Sequence, residues 1–250
     1  MSGLRSFGAT TRQAEVGGQM KVLALNATYR EKGTTTSLVK KALQGAASAG
    51  SETEHLLLKD YDISYCTNCL KCYADLESEI APCTHDDDVT LILEKIKDAD
   101  GVILGSPVHM GFVTGLMYVF MERTCFRLAR PTGEFMGLKG IPEPRLTDKP
   151  RALASIVTAG MVPDEFRPYC DAGTDWLKGN VPMMFNGEFV IDQYAAAYFP
   201  KELNDDEWSK ALFLRELTEA QHEEAFELGK TLATRISEGK VRAFDPTMDL

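Results

Sequence analysis

The chain alternates short apolar segments with longer segments of helical periodicity. Apolar runs of about four to eight residues are typical of strands that are buried on both faces of a parallel sheet. Helices that separate such strands cover both faces of the sheet. We therefore predict a doubly wound α/β fold with five parallel strands. The predicted strands are Lys21–Leu25, Glu54–Leu58, Gly101–Gly105, Ala152–Thr158 and Met183–Ile191.

The same pattern predicts one domain over residues 20–240. Residues 1–19 are expected to be a flexible extension, and residues 241–250 a frayed tail. The segment 131–150 is rich in Pro and Gly and has no clear period, so we expect a loop or an insertion there. The predicted helices are Thr34–Leu43, a segment that starts after Asp86–Asp88, a segment from about Thr114 to Arg130, and most of Glu207–Ser237.

Charge and hydropathy exclude several classes of function. The 27 Lys and Arg residues against 37 Asp and Glu residues give a formal net charge of −10, which repels nucleic-acid backbones and anionic membranes. No segment approaches the roughly 18 uncharged apolar residues that a membrane span needs. The first residues also lack the apolar region of a signal peptide. We expect a cytoplasmic protein that binds neither nucleic acid nor membranes.

The loop after the first predicted strand has residues that suit a phosphate group. Ligands of doubly wound sheets bind beyond the carboxyl ends of the strands. This loop combines hydroxyl side chains with the free amides of a helix start, and Arg30 adds a cation. An ordinary capped helix would show the same residue types. The candidate binding residues are Asn26, Thr28, Arg30, Gly33, Thr34, Thr35, Thr36 and Ser37.

Two further loops offer backbone and apolar surface to a flat ring. In the second loop, Pro107 fixes the backbone and Gly111 permits close approach, although a tight strand-to-helix turn would need the same residues. His109 is the candidate catalytic residue, as a hydrogen-bond donor to a flavin or substrate, and a histidine without a catalytic role is the alternative. The second loop comprises Ser106, Pro107, Val108, His109, Met110 and Gly111, and the third comprises Thr158, Ala159 and Gly160.

Four of the six cysteines lie close together in the sequence. Cys66, Cys69 and Cys72 form a CxxCxxC motif, which suits three corners of a [4Fe–4S] cluster. Cys83 is the candidate fourth ligand, although the gap that precedes it is long for a cluster loop. Zinc usually needs two separated CxxC pairs, so the spacing favours an iron–sulfur cluster over zinc. Thiols without a metal are the other alternative.

The remaining cysteines and histidines are expected to have structural roles. Cys125 and Cys170 lie far from the motif in sequence and are expected to be small buried apolar residues. His85, beside an acidic run, is expected to cap a helix. His55 and His222 have no ligand partners in the sequence pattern.

Taken in order, these motifs resemble the flavodoxin-like NADPH-dependent FMN reductase and iron–sulfur flavoprotein family, over residues 20 to 130 in particular. The resemblance implies a flavodoxin-like sheet of order 2-1-3-4-5 with noncovalent FMN. It implies that the first loop holds the phosphate and that the second and third loops flank the isoalloxazine. It also implies a homodimer or homotetramer. The matching segments are Lys21–Leu25, Asn26-x-Thr-x-Arg, Gly33–Ser37, Cys66–Cys72 with Cys83, Asp86–Asp88 and Gly105–Gly111.

These motifs are compatible with three functions. The first is an electron-transfer enzyme in which a ferredoxin-like one-electron donor reduces the [4Fe–4S] cluster. The cluster passes electrons to FMN, and FMN delivers two electrons to a small acceptor. The second is an NAD(P)H-dependent FMN or quinone reductase that has no cluster. The third is a non-enzymatic flavin- or thiol-based sensor, in which the N-terminal extension and residues 131–150 are docking elements.

Overall fold

The chain forms seven strands within residues 19–249, the part that this computed structural model describes. They are β1 (Lys21–Asn26), β2 (Glu52–Leu57), β3 (Gly101–Pro107), β4 (Ala129–Phe135), β5 (Leu138–Pro144), β6 (Arg151–Gly160) and β7 (Gly187–Ala197). Five of them form one sheet of order β2-β1-β3-β6-β7, in which every neighbouring pair is parallel. When only the sheet strands are counted, the order is 2-1-3-4-5, so the predicted flavodoxin-like topology is confirmed.

Helices cover both faces of this sheet. Successive side chains of a strand point to opposite faces. The helices are α1 (Thr34–Ser48), α2 (Lys71–Ala74), α3 (Val89–Asp98), α4 (Gly115–Leu128), α5 (Arg167–Cys170), α6 (Gly173–Phe185), α7 (Asp205–Trp208), α8 (Glu219–Ser237) and α9 (Pro246–Asp249). In β1, Leu23 and Leu25 pack on the layer that contains α3, α4 and α6, whereas Val22 and Ala24 pack on the layer that contains α1 and α8.

Helices α1 and α8 cross at very short range because each has a glycine at the contact. A Cβ on Gly229 would lie 1.7 Å from the carbonyl oxygen of Ala42, and one on Gly45 would lie 1.9 Å from that of Phe226. The crossing brings the starts of the two helices together, where Ser37 Oγ hydrogen-bonds His222 Nε2 at 2.8 Å. His222 therefore has a partner that the sequence pattern did not indicate.

The fifth strand was predicted too early in the chain. The residues from Met183 to Phe185 are the last turn of α6, and Asn186 ends this helix in the left-handed conformation with φ 53°. The strand begins only at Gly187. Apolar residues lie on both sides of this boundary, at Met183–Phe185 and Phe189–Ile191, and the Asn186-Gly187 pair between them is the signal that marks the boundary.

Two other segments also differ from the sequence predictions. Most of the expected loop or insertion at 131–150 is an antiparallel hairpin of β4 and β5, whose pairing is irregular near Gly133. The expected helix over Glu207–Ser237 is interrupted, because α7 ends at Trp208 and α8 begins only at Glu219. Thr218 starts α8 with a capping box, and this signal marks the true start of the helix.

The expected N-terminal extension, residues 1–19, lies outside the described residues except for Gln19. Of the expected tail, residues Pro246–Asp249 form the short helix α9. None of the helices in the described chain combines the length and the hydropathy that a bilayer span requires.

Candidate functional site

The three predicted loops meet at the carboxyl edge of the sheet and line one pocket, which we call the edge pocket. The loop after β1 and the start of α1 provide Arg30 and Thr34, and the end of β3 with the loop after it provides three residues. The predicted third loop, Thr158–Gly160, is the last part of strand β6 and provides three more. A segment between β7 and α8 completes the wall. The lining residues are Arg30, Thr34, Pro107, Val108, His109, Thr158, Ala159, Gly160, Ala197, Leu212 and Arg215.

Hydrogen bonds among buried side chains fix the first loop beneath the pocket. Asn26 Nδ2 donates to Thr36 Oγ1 at 3.0 Å, and Asn26 Oδ1 accepts from the amide of Thr28 at 3.2 Å. The hydroxyls of Thr35 and Thr158 lie 2.7 Å apart and join the first loop to the third. Because these side chains are buried and already paired, they determine the shape of the loop and leave ligand contact to its outer residues.

The outer part of the first loop combines the features that suit an anion. The first turn of α1 has no side-chain cap and no acidic residue. Within residues 19–249, no hydrogen bond to the amides of Thr34, Thr35 or Thr36 is found. Arg30 Nε lies 3.8 Å from the position that a Cβ of Gly33 would take, so the guanidinium stands beside these amides. Free amides at a helix start together with a cation bind phosphate groups well.

The second loop is a tight turn that presents His109 at the pocket. The amide of His109 donates to the Phe112 carbonyl at 2.8 Å, and the amide of Phe112 donates back at 3.1 Å. Between them, Met110 and Gly111 both have positive φ angles, 54° and 77°. Met110 is fully exposed at the tip of this turn. The imidazole of His109 stacks on the ring of Tyr29, with 5.7 Å between centroids, and this contact limits how the imidazole turns.

Ser106 of the second loop and Gly105 just before this loop have structural roles. Ser106 is buried, and its hydroxyl accepts from the amide of Thr114 at 3.0 Å and donates to the Pro107 carbonyl at 3.0 Å. A Cβ on Gly105 would lie 2.5 Å from Val39 Cγ2, so this glycine is needed for packing against α1. Neither contact involves the pocket.

Sequence reasoning missed the pocket wall that the segment 198–216 forms. Arg30 donates to the Leu212 carbonyl at 3.2 Å and lies over the ring of Phe213, 5.5 Å from its centroid. Arg215 reaches the third loop, where a Cβ on Gly160 would fall 1.4 Å from its Nη1 atom. The segment carries no motif and follows the last strand, so only the fold shows that it returns to this edge.

A second pocket, the cysteine pocket, lies between the CxxCxxC loop and helix α4. All four predicted thiols line it, and none of them is in a disulfide. Within the described residues, no three His, Cys, Asp or Glu side chains are grouped so as to hold a metal ion as they stand. The lining residues are Cys66, Thr67, Asn68, Cys69, Leu70, Cys72, Pro82, Cys83, His85, Glu122, Arg123, Phe126 and Arg127.

The long gap before Cys83 folds back over the cysteine loop. Arg145, which follows β5 and is buried, donates to the carbonyls of Cys72 at 3.1 Å, Asp75 at 2.5 Å and Ser78 at 2.9 Å. These hydrogen bonds close the gap into a compact turn and return Cys83 to the other three thiols. The hairpin in the segment 131–150 therefore supports the cysteine loop.

The thiols differ in their surroundings. Hydrogen bonding to the Thr84 hydroxyl lowers the pKa of Cys69, whereas burial raises the pKa of Cys72. Burial and the nearby thiols of Cys72 and Cys66 raise the pKa of Cys125. Cys125 and Cys170 were expected to be buried apolar residues, but both are only half-buried. Helix α4 brings Cys125 beside the cysteine loop. Its distance in sequence gave no sign of this contact.

A buried ion pair fixes the far side of the cysteine pocket. Arg123 of α4 forms a bidentate pair with Asp87, with N–O distances of 2.5 and 3.0 Å. The same guanidinium donates to the Ser64 carbonyl at 2.7 Å and to Cys83 Sγ at 3.4 Å. His85 also lines the pocket, and its Nε2 atom lies 3.3 Å from the hydroxyl of Thr67. The acidic run after Cys83 thus joins the cysteine loop to α4.

Comparisons with known proteins identify the family of the chain. Residues 20–163 match the model of a family described as NADPH-dependent FMN reductase. An iron–sulfur flavoprotein of Methanocaldococcus jannaschii is 41% identical over 105 residues, which cover 42% of this chain and 52% of that protein. An iron–sulfur flavoprotein of Archaeoglobus fulgidus is 32% identical over 142 residues, which cover 57% of this chain and 60% of that protein. The chain therefore spans about half to three fifths of the length of these curated relatives.

Solved structures share the fold over most of the chain. A flavone reductase is 20% identical with a TM-score of 0.56, covering 88% of this chain and 64% of that one. An NAD(P)H:quinone oxidoreductase from Methanothermobacter marburgensis is 13% identical with a TM-score of 0.57, and the match covers 85% of this chain and 98% of that one. At these identities the similarity shows a common fold alone.

Proposed function

Because the chain belongs to the NADPH-dependent FMN reductase family, we propose that it is a flavin-dependent oxidoreductase with FMN in the edge pocket and a [4Fe–4S] cluster in the cysteine pocket. In this proposal, a ferredoxin-like one-electron donor supplies electrons through the cluster to FMN, and a small molecule accepts them. The observation that carries it is the meeting of three strand-end loops in one pocket beside the free amides of α1.

The residues of the edge pocket suit the two ends of FMN. We expect the phosphate at the free amides of Thr34, Thr35 and Thr36, with Arg30 as the cation that pairs with it. We expect the ring beside Pro107–Gly111, with Thr158–Gly160 on its other side. FMN supplies the redox chemistry, since a flavin takes up one or two electrons, and the chain binds and orients it. His109, held by its stacking on Tyr29, is the candidate hydrogen-bond donor to the flavin or the substrate.

The donor set of the cysteine pocket suits an iron–sulfur cluster. Four free thiols line one pocket, and the curated relatives in two archaea are named iron–sulfur flavoproteins. Cys66, Cys69, Cys72 and Cys83 would hold the cluster after their side chains turn inward. A cluster of this kind exchanges single electrons. The spacing and the absence of a second CxxC pair in the sequence favour it over zinc.

Direct reduction by NAD(P)H is the second candidate. The description of the family names NADPH as the source of electrons. An enzyme of this kind would need FMN and no cluster. Its hydride would reach the flavin from a nicotinamide bound beside the ring.

The substitution Cys69→Ser separates the two candidates. Cys69 is exposed and its loss removes no packing, so the fold and FMN content should persist. We expect iron and ferredoxin-dependent turnover to be lost in this variant. The matched control is Cys170→Ser, which lines neither pocket and should change neither property. If the wild-type protein contains no iron and Cys69→Ser leaves its NADPH-dependent turnover unchanged, the direct reductase would be established instead.

A further inference from the structure

Two arginines on the same face of α4 border the cysteine pocket. Arg123 and Arg127 are one turn apart, both are 3% exposed, and both line the pocket with the four thiols. The charge of Arg123 is paired with the carboxylate of Asp87. Arg127 differs in this respect, because no carboxylate within residues 19–249 lies within 4 Å of its guanidinium.

The hydrogen bonds of Arg127 leave one end of its guanidinium without a partner. Nε donates to the Ala81 carbonyl at 2.9 Å, and Nη2 donates to the hydroxyl of Thr90 at 3.0 Å. Nη1 is buried and has no hydrogen-bond partner among the described residues. A buried cation with an unsatisfied N–H group is unfavourable unless an anion is close to it. The thiols of Cys83 and Cys72 are near enough to oppose the lowering of the pKa of Arg127 that burial causes.

We propose that Arg127 tunes the electron affinity of the cluster by donating a hydrogen bond from Nη1 to a sulfur of the cluster or of its thiolate ligands. This inference rests on the proposed function, since it needs the cluster. Hydrogen bonds to the sulfurs and local net charge both set the reduction potential of such clusters. One-electron reduction adds one negative charge to the cluster, so a fixed cation stabilises the reduced form more than the oxidised form. Arg127 therefore raises the reduction potential.

The test compares cluster potentials in Arg127→Gln and Arg127→Lys with that of the wild type. Each protein is purified anaerobically, assayed for iron and FMN, and titrated with dithionite while the cluster and flavin absorbances are followed. Arg127→Gln removes the charge, and Arg127→Lys keeps it while removing the guanidinium geometry. The matched control is Arg130→Gln, because Arg130 lies on the adjacent strand, is partly exposed and is already paired with Glu143.

At a fixed solution potential, we expect the ratio of reduced to oxidised cluster to fall roughly tenfold in Arg127→Gln, as for a lost hydrogen bond to a charged group. Tenfold corresponds to 59 mV for a one-electron couple. The cluster potential of Arg127→Lys should lie between the potentials of Arg127→Gln and the wild type, and the cluster potential of Arg130→Gln should equal that of the wild type. The flavin potential should stay constant in all of them, which a general loss of structure would not allow.

Three other results have defined meanings. Equal cluster potentials in the wild type and Arg127→Gln, at equal iron content, would overturn the inference. Loss of iron from a folded Arg127→Gln that keeps FMN, together with a lowered potential in Arg127→Lys, would support it. Wild-type protein without iron would instead overturn the cluster itself, and this result would be visible before any variant was compared.

Discussion

Arg30 is the residue on which phosphate binding at the edge pocket depends most. It stands beside the free amides of α1 and is held there by the Leu212 carbonyl. We expect Arg30→Ala to weaken FMN binding roughly ten- to hundredfold, which is the range for a hydrogen bond between charged groups. Quenching of flavin fluorescence measures this affinity. Lys32→Ala removes a charge from an exposed position on the same loop outside the pocket and should leave the affinity unchanged, so equal losses in both variants would contradict the assignment.

Asp87 gives the cysteine loop a stability that depends on pH. Burial alone would raise the pKa of Asp87, but hydrogen bonds from Arg123 and from the amide of Ser64 outweigh burial and hold the pKa below its ordinary value. The carboxylate therefore stabilises the fold above its unfolded pKa of about 3.9, and this contribution is lost as pH falls through the lower folded pKa.

We expect Asp87→Asn to lower the free energy of unfolding at pH 7 by about 3 kcal/mol, because it leaves a buried arginine unpaired. The difference from the wild type should begin to shrink as pH falls below about 4, where the carboxyl of the unfolded chain is protonated, and should disappear once pH has passed through the lower pKa of the folded protein. Urea unfolding at several pH values measures both effects. Asp86→Asn, at the exposed neighbouring carboxylate, should show neither effect, and a difference that did not depend on pH would contradict the role of the ion pair.

At the scale of helices, the crossing of α1 and α8 depends on glycine. An added methyl group at Gly229 would collide with the backbone of α1, which cannot move away. We expect Gly229→Ala to lower the free energy of unfolding by about 2 to 3 kcal/mol. Gly179, inside α6, has open space at its Cβ position, so Gly179→Ala should instead raise it by about 0.5 to 1 kcal/mol. Urea unfolding compares the two, and equal effects would contradict the packing argument.

The hairpin of β4 and β5 supports the cysteine loop through Arg145. We expect Arg145→Met to leave three partly buried carbonyls of that loop without their donor and to lower the free energy of unfolding by about 2 to 4 kcal/mol. Iron should be lost while FMN is kept, since the edge pocket lies at the other end of α4. Lys139→Met, at the exposed tip of the hairpin, is the control. Full iron content in Arg145→Met would show that the turn closes without this residue.

The sequence predicted those elements that local patterns define. Apolar runs located four of the five sheet strands, and strand-end loops with Gly, Ser and Thr located most of the edge pocket. The start of strand β7 was misplaced because the apolar residues that end α6 were grouped with those of the strand, across the Asn186-Gly187 pair that separates them. The hairpin was missed because its strands are partly exposed and irregularly paired, so they lack a period of two. No local pattern in the sequence indicates the contacts that the two pockets make with distant segments of the chain.

Arg123, Arg127 and Arg145 illustrate this limit at the cysteine pocket. Each is buried beside the cysteine loop, yet each comes from an element that follows the motif by 40 or more residues. No spacing relates them to the cysteines, and a buried arginine has no distinctive neighbours in sequence. Arg215 at the edge pocket is a comparable case, since it reaches Gly160 from a segment without a motif.

For the whole molecule, α4 is the element that joins the two pockets. Near its start, the amide of Leu116 donates to the hydroxyl of Tyr29 at 3.2 Å, and Tyr29 stacks on His109 of the edge pocket. Arg123, seven residues further on, borders the cysteine pocket, which is about 10 Å along the helix axis. A rigid helix of this length keeps the two sites at a fixed separation.

The homodimer or homotetramer expected from the family stays a prediction. A molar mass of two or four chains of 27.6 kDa in solution would confirm it.

The central claim is that one chain holds both FMN and an iron–sulfur cluster. The most direct measurement is the visible spectrum of anaerobically purified protein, with iron, acid-labile sulfide and FMN assayed on the same sample. We predict flavin bands above a broad iron–sulfur absorbance, with about four iron and four sulfide per FMN, as a cubane cluster requires. Flavin bands without iron or sulfide, even after anaerobic reconstitution with both, would contradict the two-centre account and leave the direct NAD(P)H reductase in its place.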